Sequence, residues 1–116
     1  MNKYLVLYKS DGPMNGMSVS EMFANTPPEQ MAKGMAAWQA WYGKCGAAIL
    51  DVGAPLDNAT AVTATSAQPE KAPLTGYTIL QAASMEEASD MLKDHPHLRI
   101  PGSSVQILEC VKMPGM

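Results

Sequence analysis

The order of strand and helix patterns in the sequence predicts an α+β domain built on an antiparallel sheet. Short runs rich in Val, Ile, Thr and Tyr recur along the chain, which is typical of strands. Two segments with helical spacing of apolar residues interrupt those runs, and each begins with a helix-start signal. The length of 116 residues suits a single domain, residues 1–116, with one hydrophobic core.

The first strand and the first helix are predicted by the first part of the sequence. Residues 4–8 form a β-branched and aromatic run that is followed by turn-forming residues. Residues 11–25 are rich in Gly, Ser and Met, and we interpret them as a mobile loop with one helical turn near 19–24. A capping box at 26–29 then predicts the start of the first helix, and Gly46 predicts its end.

Two short strands and a loop are expected after the first helix. Residues 48–52 and 60–65 both have strand composition, and the turn-rich segment between them predicts that they pair as a hairpin. Residues 66–73 are polar and contain prolines, so we interpret them as a loop.

The last part of the sequence predicts a strand, a helix and a final strand. Residues 76–82 form the strand, and Ser84 begins a second capping box that opens the helix. Pro96 stops this helix, and residues 105–112 form the last strand. The resulting order β-α-β-β-β-α-β corresponds to a ferredoxin-like sheet with an added strand and with two helices on one face.

Both faces of the predicted sheet carry apolar side chains. In the first strand Leu5 and Leu7 point to one face, while Tyr4, Val6 and Tyr8 point to the other. Two helices can cover only one of these faces, so a second copy of the sheet is expected to cover the other. We therefore predict a homodimer through sheet faces; the alternative is that the long loop after the first strand folds over the second face.

Composition argues against several functional classes. The formal net charge of −3 and the scattered lysines, with Arg99 as the single arginine, give no electrostatic basis for nucleic-acid binding. The apolar run at 4–8 is too short to span a membrane, and no signal-peptide pattern is present, so a cytoplasmic location is expected. Cys45 and Cys110 lack ligand-like spacing and are interpreted as reduced thiols. No motif predicts a metal site or a cofactor.

Candidate catalytic residues are few. His95 and His97 flank a proline and have imidazole groups that transfer protons near neutral pH. Asp51 lies in an apolar strand, where desolvation would raise the pKa of its carboxyl group and make it a general base. The structural alternatives are that His95 caps the second helix, that His97 bonds the following loop, and that Asp51 accepts backbone amides at the Gly53 turn.

Aromatic residues are the candidate ligand-binding groups. Trp38 and Trp41, together with the neighbouring Tyr42, cannot all lie on one narrow helical face, so at least one is expected at a loop contact or at a cavity rim. Tyr8 and Tyr77 are positioned on strands where their hydroxyl groups can point into a cavity. Ordinary core packing is the alternative for each of these residues.

Several motifs together resemble the YCII-related family, also called the DGPF-domain family. The resemblance covers most of the chain and rests on segments that occur in the family's order: Lys3-Tyr4-Leu5-Val6-Leu7-Tyr8, residues 48–55, Gly76-Tyr77-Thr78-Ile79-Leu80-Gln81-Ala82, Met85-Glu86-Glu87-Ala88, His95-Pro96-His97-Leu98 and Ser103-Ser104-Val105-Gln106-Ile107.

This resemblance implies a dimeric α+β barrel, the architecture of muconolactone isomerase-like and antibiotic-monooxygenase-like proteins. A few family members are small-molecule lyases or dehydrochlorinases, and a histidine on the first helix with a strand aspartate is the acid–base pair suggested for some. This chain has no histidine before His95. The expected function is binding of a small aromatic or lactone-like molecule, with lyase- or isomerase-type proton transfer by His97 or His95 with Asp51. The alternative is a non-catalytic ligand-sensing or protein-interaction module.

Overall fold

A computed structural model describes residues 1–10, 19–70 and 73–115 of the chain. The strands are β1 (Asn2–Ser10), β2 (Ile49–Asp51), β3 (Thr60–Val62), β4 (Ala67–Pro69), β5 (Leu74–Ala82) and β6 (Ser103–Cys110). The helices are α1 (Val19–Asn25), α2 (Pro28–Cys45) and α3 (Met85–Leu92), with 3₁₀ turns at Gly46–Ala48 and Pro96–Arg99.

The main sheet has four antiparallel strands in the order β2-β5-β1-β6. With α2 after β1 and α3 before β6, this order gives the ferredoxin-like α+β fold that the sequence predicted. Helices α2 and α3 both contribute to one core with the sheet, through Trp41 on α2 and through Ala88 and Leu92 on α3. The shortest principal extent of the molecule, 20 Å, fits one sheet with a single layer of helices.

The predicted hairpin between the second and third strands is wrong. Strand β2 pairs with β5 in the main sheet, whereas β3 pairs with β4 in a separate two-stranded sheet. The segment 66–73, which was expected to be a loop, therefore contains β4. Gly53 contributes to this arrangement because its positive φ of 77° turns the chain after β2, and an added Cβ atom there would lie 1.7 Å from the Tyr77 carbonyl oxygen.

The helices begin where the sequence predicted, except that the predicted capping residue of α2 does not cap it. The Ser84 side chain accepts a hydrogen bond from the Glu87 amide at 3.1 Å, so the second capping position is confirmed. Thr26 does not cap α2, because its hydroxyl donates to the Met22 carbonyl at the end of α1. Helix α1 extends the single helical turn predicted near 19–24. The rest of that predicted loop, residues 11–18, lies outside the described residues.

The burial pattern of β1 confirms that its side chains alternate between two faces. Tyr4, Val6 and Tyr8 are buried under the helices, whereas Leu5 and Leu7 are only half-buried. We call the side of the sheet with Tyr4, Val6 and Tyr8 the helix face and the side with Leu5 and Leu7 the open face.

Candidate functional site

A cluster of aromatic and histidine side chains lies on the helix face, at the end of β1. We call it the histidine–aromatic cluster, and its members are Tyr8, Trp38, Trp41, Tyr42, His95 and His97. Three parts of the chain form it: Tyr8 comes from β1, the indoles and Tyr42 come from α2, and the histidines come from the connection between α3 and β6.

His95 is at the centre of this cluster. Its ring centroid lies 4.4 Å from the ring centroids of both Trp38 and Trp41, and 4.9 Å from that of Tyr8. The contacts with Trp38 and Trp41 are edge-to-face, a geometry that aromatic rings favour because ring edges are positive and faces are negative. Only 1% of His95 is exposed to solvent.

The hydrogen bonds of His95 determine where its ring carries a proton. Nδ1 accepts a hydrogen bond from the His97 amide at 3.0 Å, which also caps the 3₁₀ turn that follows. Burial, and secondarily the nearby charge of His97, lowers the pKa of His95 from 6.5 to about 4, so the ring is neutral near pH 7. A neutral imidazole with an accepting Nδ1 carries its proton on Nε2. His95 Nε2 is buried and has no hydrogen-bond partner among the described residues.

His97 connects the cluster to β1 of the sheet through a hydrogen bond. Its Nε2 atom lies 2.9 Å from the Lys9 carbonyl oxygen on β1, so this nitrogen donates to that oxygen. His97 is 5% exposed, and its ring centroid lies 5.3 Å from that of Tyr8. The histidines therefore differ from the structural alternatives considered for them, since His95 caps the 3₁₀ turn rather than α3, and His97 bonds β1 rather than the loop after it.

Tyr8 and Thr78 form the polar edge of the cluster. The Tyr8 hydroxyl lies 2.7 Å from the Thr78 hydroxyl, and Thr78 in turn donates to the Val52 carbonyl at 3.0 Å. Because Thr78 Oγ1 uses its hydrogen for Val52, Tyr8 is the donor of the first bond. Burial raises the pKa of Tyr8 well above its ordinary value, so the phenol stays protonated.

Both indoles of α2 contact His95, but they differ in exposure and bonding. Trp41 is buried, and its Nε1 donates to the Met91 carbonyl on α3 at 2.9 Å. Trp38 is half-buried and stands over Tyr8 with ring centroids 4.8 Å apart. Tyr42 donates to the Val52 carbonyl at 3.2 Å. Trp38 therefore separates the centre of the cluster from solvent, because Tyr8 and His95 behind it are each only 1% exposed.

The structure brings together most of the residues that the sequence suggested for a site. Those in the cluster are Tyr8, Trp38, Trp41, His95 and His97. Thr78 was missed, although strand alternation from the buried Leu80 places it on the helix face as a polar residue, and it is fully buried. A polar side chain on the core face of a strand is a sequence signal for a buried hydrogen bond.

Asp51 and Tyr77 lie apart from the cluster. Asp51 is exposed, and its Oδ1 accepts the Gly53 amide at 2.8 Å, as in the structural alternative. An irregularity between Ile49 and Asp51 places Asp51 opposite Ile79, so it shares the open face. Tyr77 also lies on that face, opposite Leu7. The hydrogen bonds of the described residues do not link Asp51 to either histidine.

An open groove of about 420 Å³ lies between the end of α2 and α3, next to the cluster. Its lining residues are Lys44, Cys45, Ala48, Glu87, Asp90, Met91 and Asp94. Lys44 forms an ion pair with Asp94, and both side chains are largely exposed. Burial raises the pKa of the Cys45 thiol, so this thiol is less reactive than a free one.

The described residues contain neither a metal-binding group nor a bilayer span. Across 1–10, 19–70 and 73–115, the His, Cys, Asp and Glu side chains form no set of three or more that could hold a metal ion. In the same ranges, every helix lacks the length or the hydropathy needed to cross a membrane.

Comparison with solved structures shows a likeness of fold. No protein-family model and no curated protein matches the sequence. A solved structure similar to this chain is 5-chloro-2-hydroxyhydroquinone dehydrochlorinase from Burkholderia phenoliruptrix in complex with 2,5-dihydroxybenzoquinone. The two share 18% identity over 90% of each chain, with a TM-score of 0.47. A likeness at this level does not carry that enzyme's activity or ligand to this chain.

Proposed function

We propose that this chain is a small-molecule-binding domain and that its site is the histidine–aromatic cluster. The observation that carries the proposal is the buried Nε2 of His95, which has no hydrogen-bond partner in the described part of the chain. Buried polar groups almost always have a hydrogen-bond partner, because leaving one unpaired costs about 1–3 kcal/mol. A ligand that accepts this hydrogen bond would remove that penalty.

The surroundings of His95 support a ligand site rather than a purely structural one. Small-molecule sites combine apolar and aromatic walls with a few fixed polar groups. Here Trp38, Trp41 and Tyr8 supply the walls, while the His95 ring supplies a donor whose direction is fixed by its bond to the His97 amide. The half-buried Trp38 is the wall nearest to solvent, and in this proposal its ring turns aside on entry and stacks on the ligand.

The geometry favours binding over the proton-transfer activity expected from the sequence. A lyase or isomerase that used Asp51 with a histidine would need both groups near one ligand. Asp51 shares the open face with Ile79, and the histidines lie on the helix face. His95 is also a poor base, because burial lowers its pKa to about 4 and its Nδ1 is occupied. The ligand-sensing alternative is therefore our proposal for the function.

We also propose that the protein is a homodimer through its open face, as in a dimeric α+β barrel. On this face Leu5 lies between Ile79 and Leu108 of the neighbouring strands, and Leu7 lies beside Tyr77. Leu108 is 41% exposed in the single chain. Burying a Leu or Ile side chain fully contributes roughly 1.5–3 kcal/mol to stability. A second copy that covers this face would therefore stabilise both chains.

We also propose a cellular location and a family for the chain. Cys45 and Cys110 are both free thiols, which fits a reducing compartment such as the cytoplasm. The fold agrees with the architecture implied by the resemblance to the YCII-related family. We propose that the chain is a member of that family and that it binds a small aromatic or lactone-like molecule.

The proposal is tested by a fragment screen with ligand-observed NMR on the purified protein, with hits assigned to a face by two matched substitutions. Trp38→Leu removes an aromatic wall of the cluster, and Tyr77→Leu removes an aromatic side chain from the open face. We expect Trp38→Leu to weaken binding of planar hits at least about tenfold and Tyr77→Leu to leave their affinity unchanged. Hits that respond only to Tyr77→Leu would refute the cluster as the site.

A further inference from the structure

We infer that the histidine–aromatic cluster selects an uncharged, planar molecule whose acceptor oxygen receives the His95 Nε2–H. This inference rests on the proposed function and specifies the chemical class of the ligand. It depends on three properties of the cluster: a donor of fixed direction, the lack of a free counter-ion beside that donor among the described residues, and walls that are flat rings.

The donor is fixed by contacts on both sides of the His95 ring. The bond from the His97 amide to Nδ1 sets the ring's rotation, and the indoles of Trp38 and Trp41 contact it at the same centroid distance of 4.4 Å. An aromatic face is only a weak acceptor for an N–H group. An oxygen of a ligand is a much stronger acceptor, so the cluster gains a full hydrogen bond when one arrives.

The charge of the ligand follows from the groups around the ring. The ring neighbours of His95 are Trp38, Trp41 and Tyr8, and burial keeps the Tyr8 phenol protonated. The next residue back along the chain, Asp94, is half-exposed and paired with Lys44. His97, whose charge also acts on His95, already donates its Nε2–H to the Lys9 carbonyl. A charged ligand would therefore lose its water of hydration here without gaining a free counter-ion among the described residues, which is unfavourable. An uncharged carbonyl oxygen meets the donor without this loss.

The shape of the ligand follows from the walls. The Trp38 ring stands at 70° to that of Tyr8 and at 88° to that of His95, so its removal from this position uncovers two ring surfaces at once. Flat molecules bind such surfaces well because aromatic rings bury much area at little conformational cost. A planar molecule with one carbonyl group satisfies both the walls and the donor.

The experiment compares pairs of probes that differ only in the acceptor. Coumarin is titrated beside 2H-chromene, and 1-indanone beside indane, with affinities taken from ¹H–¹⁵N chemical-shift changes. The protein variants are His95→Asn and His95→Gln, checked for folding by circular dichroism. The Asn side chain can replace Nδ1 as the cap of the 3₁₀ turn but does not reach the position of Nε2, whereas Gln places an amide donor near that position.

On the wild-type protein we expect each carbonyl probe to bind about tenfold more tightly than its partner, the equivalent of one neutral hydrogen bond. His95→Asn should abolish this preference, and His95→Gln should restore part of it. Equal binding of both members of each pair to the wild type, at the cluster, would overturn this inference but leave the proposed function intact. A preference that survives in folded His95→Asn would also overturn it. If no probe binds the wild type, both the inference and the proposed function fail.

Discussion

Both faces of the main sheet carry apolar side chains, but the two faces have different surroundings. On β1, Tyr4, Val6 and Tyr8 are almost completely buried by the helices, while their neighbours Leu5 and Leu7 remain half-buried. One strand therefore contains core residues of the single chain alternating with residues that are only half-buried. Apolar character in a strand therefore does not tell which of these two environments a residue has.

The faces also differ in their polar groups. On the helix face the Tyr8 hydroxyl bonds the Thr78 hydroxyl, which donates to the Val52 carbonyl. Among the described residues, the buried cluster atom without a partner is His95 Nε2. The polar residues of the open face include Gln106, which lies opposite Leu7, and Asp51 beside the Gly53 turn. In our account, binding chemistry belongs to the helix face and self-association to the open face.

The largest expected effect is a difference in stability loss between substitutions at two adjacent residues of β5. Leu80 is fully buried on the helix face, so Leu80→Ala should lower the free energy of unfolding by about 2–5 kcal/mol. Ile79→Ala, on the open face, should cost much less at low protein concentration and more as concentration rises, because the proposed dimer would bury this side chain. Urea unfolding at two protein concentrations measures both. If Ile79→Ala lowered the free energy of unfolding as much as Leu80→Ala at every protein concentration, the proposed difference between the faces would be contradicted.

The next effect is a pH dependence that arises in the cluster. Burial and the charge of His97 lower the pKa of His95 to about 4, against the opposing influence of Asp94, while the unfolded value is near 6.5. Between these values the unfolded chain binds the proton more tightly, so stability is complete above about pH 6.5 and falls as the pH drops toward 4. The loss over this range should approach about 3 kcal/mol.

Urea unfolding as a function of pH measures this loss, and His95→Asn is the matched control. The substitution keeps an acceptor for the His97 amide and removes the titrating ring. Carboxyl groups titrate in both proteins, so the difference between the two profiles isolates His95. Parallel profiles between pH 4 and 6.5 would show that His95 is not buried as the structure has it.

A smaller effect compares the two indoles of the cluster. Trp41→Phe leaves the Met91 carbonyl without its donor, so it should lower stability by about 1–2 kcal/mol beyond the loss of ring area. Trp38→Phe keeps a ring at the half-buried position and should cost less. Thermal unfolding of both variants is the measurement. An equal loss from the two substitutions would argue against a special role for the Trp41 bond.

The smallest effect is expected at Asp51. Asp51→Asn keeps an oxygen that can accept the Gly53 amide, so stability should change by less than about 0.5 kcal/mol. Affinity for planar ligands should stay the same, because Asp51 and the cluster occupy different faces. Any turnover of a ligand that is lost in Asp51→Asn and retained in Asp51→Glu would instead support the proton-transfer hypothesis.

Much of the fold could be predicted because its signals are local. Alternation placed the β1 side chains on their two faces, and the serine of the second capping box fixed the start of α3. The pairing of β3 with β4 was not predictable in the same way, because Ala67-Gln68-Pro69 is polar and short and its partner is chosen by tertiary contacts. The Gly53 turn directs the chain toward β5, and its fit against the Tyr77 carbonyl is visible only in three dimensions.

The candidate site was predicted in its residue types and only partly in its geometry. Aromatic spacing on α2 and the histidine segment suggested Trp38, Trp41, His95 and His97, and these do meet. Asp51 was placed beside Ile49 by simple alternation, but the irregularity in β2 turns it to the open face. A one-residue irregularity of this kind leaves no mark in the sequence, and it decides which residues share a site.

The most direct test of the central claim, that the helix face binds the ligand, is a two-dimensional ¹H–¹⁵N NMR titration of the wild-type protein with the best planar hit. We predict the largest shift changes at the indole NH groups of Trp38 and Trp41 and at the His97 amide, which donates to His95. Residues of the open face such as Leu5 and Leu108 should shift little. Changes concentrated at Leu5, Tyr77 and Leu108, with the indole signals unmoved, would contradict the account.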